Sequence, residues 1–165
     1  MTAWLERPRE EAHLLNPAFC CVGITAAAIS YQKEAQRNLP FPLAHMVLPI
    51  VLHKRTRDEL PRGSSTSLPM WIQDHASVRL LFFERLIALR SHTREALLFG
   101  CQRGWLRIGG DATLHAEIHV AAFRRAIQPL DDEPKACILK ALFVGRWFAR
   151  AGPAPTVMAL WGIQL

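Results

Sequence analysis

The chain has 165 residues, of which 50% are hydrophobic, 21% are charged and 8% are aromatic. This length and composition fit a compact domain with its own core, and they exclude a disordered, collagenous or low-complexity chain. The 20 basic and 14 acidic side chains give a formal net charge of +6, which is compatible with an acidic partner. We therefore expect residues 1–165 to form a single domain.

The cysteines and the amino-terminal sequence favour a cytoplasmic protein with free thiols. The four cysteines form no C-x-x-C pair and no secreted disulfide scaffold. Acidic residues at positions 6, 10 and 11 interrupt the basic region that a signal peptide needs. The stretch 12–32 contains no Asp, Glu, Lys or Arg, but its Ala and small polar residues give it a hydropathy too weak for a membrane span.

The first part of the chain, 16–60, predicts helices. Asn16 is a good N-cap, Pro17 suits the first helical position, and apolar residues then recur at helical spacing to about Arg37. The apolar stretch 43–52 predicts a buried helix that Pro49 kinks or interrupts.

Residues 67–125 predict helices followed by a hairpin. Ser67 favours the start of a short helix, and the next helix presents an apolar stripe to the core, formed by Val78, Leu81, Phe82, Leu86 and Leu89. Ser91 predicts the N-cap of a further helix, in which Leu97, Leu98 and Cys101 face inward and which Gly104 ends. The alternating segments 105–108 and 112–118 flank a Gly-Gly-Asp turn, which is a hairpin signal.

The last part of the chain predicts a helix over 134–152 and a short apolar element over 155–161. The predicted fold class is mainly α with one small β-hairpin, in a winged helix-turn-helix-like single domain with flanking helices. The winged-helix-like core spans about 67–125. The amino-terminal helices of 16–60 and the carboxyl-terminal helix of 134–152 pack on it.

Catalytic motifs are missing from the sequence. It holds no phosphate-binding loop of the G-x-x-x-x-G-K-[ST] type and no G-x-S-x-G. His115, Glu117 and His119 do not follow the H-E-x-x-H pattern of zinc proteases, and we expect them on the exposed polar face of a strand. A small hydrolase or nuclease that binds a metal through these three residues is the minor alternative. We expect no enzyme activity, no catalytic residue, no cofactor and no metal.

Basic charge is concentrated in the middle of the chain, because 61–128 hold nine basic and five acidic side chains. Such side chains either neutralise DNA phosphates or form a solvated arginine-rich surface, and both alternatives stay open. The candidates for DNA-phosphate contacts are Arg94, Arg103, Arg107, Arg124 and Arg125.

Three tryptophans are candidates for partner binding, namely Trp4, Trp147 and Trp161. Large aromatic side chains dominate the binding energy of protein interfaces. Apolar residues near a chain end dock either on their own core or on a partner. The sequence leaves these two alternatives open.

Several strings, in this order and spacing, resemble a known family. They are Asn16-Pro-Ala-Phe19, 47–54 with Thr56-Arg57 and Leu60-Pro61, 93–100, and 145–152 ahead of Pro155-Thr156 and Leu160-Trp-Gly162. Together they resemble the small middle component of bacterial three-component ABC systems.

The resemblance implies a non-catalytic adaptor subunit in an antiphage defence system. The adaptor bridges an ABC ATPase, similar to chromosome-maintenance (SMC-like) ATPases, and a third component. A direct contact with DNA and a homodimer within the complex stay open. The alternative function is a winged-helix DNA-binding regulator.

Overall fold

The computed structural model describes residues 15–63 and 65–163, and it confirms the mainly α fold class. The helices are α1 (Pro17–Ala35), α2 (Phe41–Val51), α3 (Lys54–Glu59), α4 (Leu68–Asp74), α5 (Phe82–Ala88), α6 (Arg90–Gln102), α7 (Val120–Ile127), α8 (Asp132–Arg150) and α9 (Ala154–Leu160). The strands are β1 (Leu39–Pro40), β2 (Leu106–Ile108) and β3 (Thr113–Ala116), and a 3-10 turn (Ala76–Arg79) separates α4 from α5.

Helix α1 is the centre of the fold. It begins where the sequence predicts, because the Asn16 side chain accepts a hydrogen bond from the backbone N–H of Ala18 at 2.8 Å. From Cys20 to Tyr31 most of its residues are buried, with α2, α6 and α8 packed around it. Residues 20–31 of the uncharged stretch therefore lie in the middle of a globular core. Among the described residues no helix has the length and hydropathy to span a bilayer.

Helices α1 and α8 cross in backbone contact. A Cβ atom on Gly145 would overlap the backbone carbonyl group of Ala27 on α1. One turn away, the hydroxyl of Ser30 donates a hydrogen bond of 2.5 Å to the carbonyl oxygen of Leu142. Glycine is thus the residue that lets two long helices approach closely enough to share one core.

The sheet is larger than the predicted hairpin. Strands β2 and β3 form that hairpin, with Leu106 opposite Ala116, and β1 adds an antiparallel strand on the other side of β3. Because β1 lies at 39–40, the sheet extends beyond the predicted core of 67–125. The strand order is β1-β3-β2, and the hairpin lies between α6 and α7 in the sequence. This arrangement is compatible with a winged helix-turn-helix.

The segment 76–91 differs from its prediction. The expected long helix is broken, because Leu81 adopts a left-handed conformation (φ 58°) between the 3-10 turn and α5. Leu81 is exposed, so it does not belong to the core stripe. The next helix begins at Arg90, which leaves Ser91 inside the helix and not at its N-cap. On that helix Leu98 is 56% exposed instead of facing inward.

Two further differences concern α2 and α7. Helix α2 continues to Val51 with Pro49 inside it, so the proline removes one intrahelical hydrogen bond without ending the helix. Helix α7 has no counterpart among the predicted elements. It is held by two buried side chains, Phe123 and Ile127.

The α1–α8 crossing leads to the first prediction. We expect Gly145→Ala to lower the free energy of unfolding by about 3 kcal/mol, because the new methyl group meets backbone that cannot move away. Chemical denaturation of the purified chain measures this change.

Gly23→Ala is the matched control on the buried face of α1. Its Cβ would lie at ordinary contact distance, 3.6 Å from Leu48 Cδ2. Alanine is the better helix former, so we expect this variant to be more stable by about 0.5–1 kcal/mol. Equal destabilisation by the two variants would show that the close crossing is absent.

Candidate interaction surfaces

Two of the three tryptophans considered for partner binding are buried in the chain's own core. Trp147 and Trp161 are each 1% exposed. The Trp71 ring lies 5.2 Å from the Trp147 ring and 5.9 Å from the Trp161 ring, and Phe82 lies 4.5 Å from Trp161. Of the two alternatives for the apolar end of the chain, the structure shows docking on the chain itself. Trp4 lies outside the described residues.

The hairpin side chains pair with one another. Arg107 Nε lies 2.5 Å from Glu117 Oε1, and His115 Nδ1 lies 3.0 Å from the same oxygen. The hydrogen bond from Arg107 holds the pKa of Glu117 below its usual value. Arg107 is therefore paired with a carboxylate of the same hairpin, in an exposed ion pair of the kind that contributes little to stability.

The same hairpin contains the residues considered as metal ligands. His115 contacts Glu117, whereas His119 is the exposed residue that precedes α7. Within 15–63 and 65–163, no three His, Cys, Asp or Glu side chains are grouped so that they could hold a metal ion.

The other candidate arginines lie on two helices. Arg94 is exposed on α6, and Arg103, at the end of that helix, lies 5.3 Å above the Phe99 ring. Arg124 and Arg125 are exposed on α7. Arg94, Arg124 and Arg125 form no ion pair with another described residue. Of the five arginines considered for DNA-phosphate contacts, one lies on β2 and is paired with a carboxylate. The other four lie on α6 or α7 or directly after α6.

An exposed apolar ridge, which sequence reasoning missed, begins just before α5 and continues along that helix. We call Leu80, Leu81, Phe83 and Ile87 the α5 ridge, and their exposed fractions are 68%, 67%, 53% and 49%. Four large apolar side chains exposed within eight residues form a patch of the kind that marks an interaction site.

The structure below the α5 ridge is firmly held. Phe82 is fully buried against Trp161, and Arg85 Nη2 donates a hydrogen bond of 3.0 Å to the carbonyl oxygen of Val78. The Arg85 guanidinium also lies 5.7 Å above the Phe82 ring. The ridge is therefore presented by an anchored helix.

A groove of about 560 Å³ lies between α1, α7 and α8. Its apolar lining includes Ile29, Phe123 and Leu142, and Lys33, Arg124 and Arg146 line the same groove. We call it the α7 groove. It shares no residue with the α5 ridge.

One sequence signal could have indicated the ridge. Leu80, Leu81, Phe82 and Phe83 are consecutive, and a surface helix cannot bury four successive side chains on one face. The groove gives no such signal, because its walls come from three helices that are distant in the sequence.

The described residues thus form a mainly helical protein with an exposed apolar ridge and a separate apolar groove. The chain is a member of the ABC-three component (ABC-3C) system Middle Component 3 family, whose model matches residues 4–165. It is thus an accessory component of such a system, not its ATPase, and works with partners that include an ATPase. No curated protein and no solved structure matches the chain.

The Arg107–Glu117 contact leads to the second prediction. We expect Arg107→Ala to raise the pKa of Glu117, because the carboxylate loses the hydrogen bond that favours its charged form. A carbon-detected NMR titration of the Glu117 carboxyl group measures the shift. Arg125→Ala is the control and should leave this pKa unchanged. The pairing would be refuted by an equal pKa of Glu117 in all three proteins.

Proposed function

We propose that this chain is a non-catalytic adaptor that bridges the ATPase of its ABC-3C system and the third component, in a cytoplasmic antiphage defence module. Membership of the family supports the proposal, because it implies that an ATPase and other components are partners. The α5 ridge is the observation that carries the proposal, because an adaptor needs a surface that a partner covers.

The ATPase is the partner assigned to the α5 ridge. Phe83 and Ile87 lie one helical turn apart, so they can enter a single apolar pocket. Exposed basic side chains, Arg79 and Arg90, flank the segment at its two ends. The complementary ATPase surface is an apolar pocket with acidic groups at its edge.

The backbone of Leu81 supports a binding role for this residue. A left-handed conformation costs a non-glycine residue roughly 1–2 kcal/mol, and Leu81 gains little from burial in return. Strain of this kind is common at binding sites, where the position of a side chain matters more than local stability.

A DNA-binding regulator is the second candidate, supported by the strand order compatible with a winged helix. Helix α6 precedes the hairpin and carries Arg94, and Arg103 follows its last residue. Under this alternative, Arg94→Ala or Arg103→Ala weakens duplex binding and reduces the salt slope by about one unit each. Fluorescence anisotropy measures both effects. Binding that is indifferent to both arginines removes the alternative.

The third prediction separates folding from binding at the ridge. We expect Leu81→Asn to weaken the complex with the ATPase component by at least about tenfold, because an apolar contact is replaced by a polar one. Asparagine tolerates the left-handed conformation, so the free energy of unfolding should stay equal or rise. Interferometry with the purified ATPase component and chemical denaturation measure the two quantities.

Leu139→Gln is the matched control, since Leu139 is a similarly exposed leucine outside the ridge, on α8. It should leave the complex intact. If the co-expressed components do not co-purify with this chain, the adaptor function is wrong. If they co-purify and Leu81→Asn binds as tightly as the natural chain, the ridge is not the ATPase surface.

A further inference from the structure

We propose that the α7 groove binds an acidic amphipathic segment of a second protein, with apolar anchors inside the groove and carboxylates at its edge. The inference rests on the adaptor function and deepens it by giving a second partner, the third component, its own docking surface. A bridging subunit needs two separate surfaces, and the α7 groove shares no residue with the α5 ridge.

The apolar part of the groove has a suitable size. Its volume of about 560 Å³ is within the range of specific binding pockets. Two of its walls, α1 and α8, are fixed by their backbone contact at Gly145 and by the Ser30–Leu142 hydrogen bond. Phe123 and Ile127 hold α7 as the third wall. The groove is therefore formed before a ligand arrives, which lowers the entropic cost of binding.

The charges around the groove specify an acidic ligand. Lys33 on α1, Arg124 on α7 and Arg146 on α8 come from three different helices. None of the three forms an ion pair with another residue of 15–63 and 65–163. The carboxylate in the lining, Glu34, already binds Arg150, with 2.7 Å between Oε1 and Nε. A ligand with two or three carboxylates would neutralise the remaining positive charge.

The apolar lining distinguishes a peptide from a nucleic acid. Phosphates bind to cations along an open surface, and single-stranded bases need exposed aromatic faces on which to stack. Here the aromatic side chain, Phe123, is buried, and the cations surround an aliphatic recess. An amphipathic helix in a groove, with anchors at i, i+3 or i+4 and i+7, matches this chemistry.

The fourth test uses the full chain and two labelled helical peptides. Both peptides carry leucine at the anchor positions, and one carries glutamate at the remaining positions where the other carries lysine. We expect the glutamate peptide to bind in fluorescence anisotropy and the lysine peptide not to bind. Arg124→Glu should weaken binding of the glutamate peptide by at least about tenfold.

Arg125→Glu is the matched control, because it makes the same change of charge one residue further along α7, outside the groove. It should leave peptide binding within about twofold. Circular dichroism confirms that both variants are folded. The proposal is overturned if the glutamate peptide does not bind, if the two variants lose binding equally, or if the lysine peptide binds as well.

Two more measurements separate this inference from competing ones. A single-stranded oligonucleotide that binds more tightly than the glutamate peptide and loses binding in Arg124→Glu would overturn the proposal in favour of nucleic acid. Leu81→Asn should leave peptide binding unchanged, whereas Arg124→Glu should leave the ATPase complex unchanged. Failure of the groove and failure of the adaptor function are thus distinguishable.

Discussion

The backbone contact between α1 and α8 is the constraint on which the rest of the structure depends. Gly145 lies directly against Ala27, so the two longest helices of the described chain are in backbone contact at this crossing point. Helix α1 is then covered by α8 on one side and by α2 and α6 on others, which buries most of its residues from Cys20 to Tyr31. The shorter described elements pack around this pair, as α4 does through the contact of Trp71 with Trp147 on α8.

The surfaces proposed for partners follow from the attachment of the shorter elements to that core. Phe82 docks α5 on Trp161 through its inner face, so the alternate face, with Phe83 and Ile87, points to water. The buried side chain of Phe123 holds α7 against the core. The α7 groove lies beside this helix, and Arg124 is one of its lining residues. In both cases one buried aromatic anchor fixes the element while apolar surface beside it stays accessible.

Under the proposed adaptor function, the two separated apolar surfaces hold two other proteins at a fixed distance. Transmission of a nucleotide state through such a subunit requires that one surface bind two states of the ATPase with different affinities. Under the proposal, that surface is the α5 ridge, which is held by Phe82 and by the hydrogen bond of Arg85 to Val78.

The sequence by itself determined the helical class, the start of α1 at Asn16, the β2–β3 hairpin and the family, because caps, turns and helical periodicity are local signals. Only the tertiary structure decided the rest. Strand β1 exists because β3 offers it hydrogen-bonding partners, and Leu81 is exposed because Phe82, its neighbour, takes the place against Trp161. The burial of a side chain depends on which element, distant in the sequence, packs against it. A local sequence pattern does not specify that packing partner.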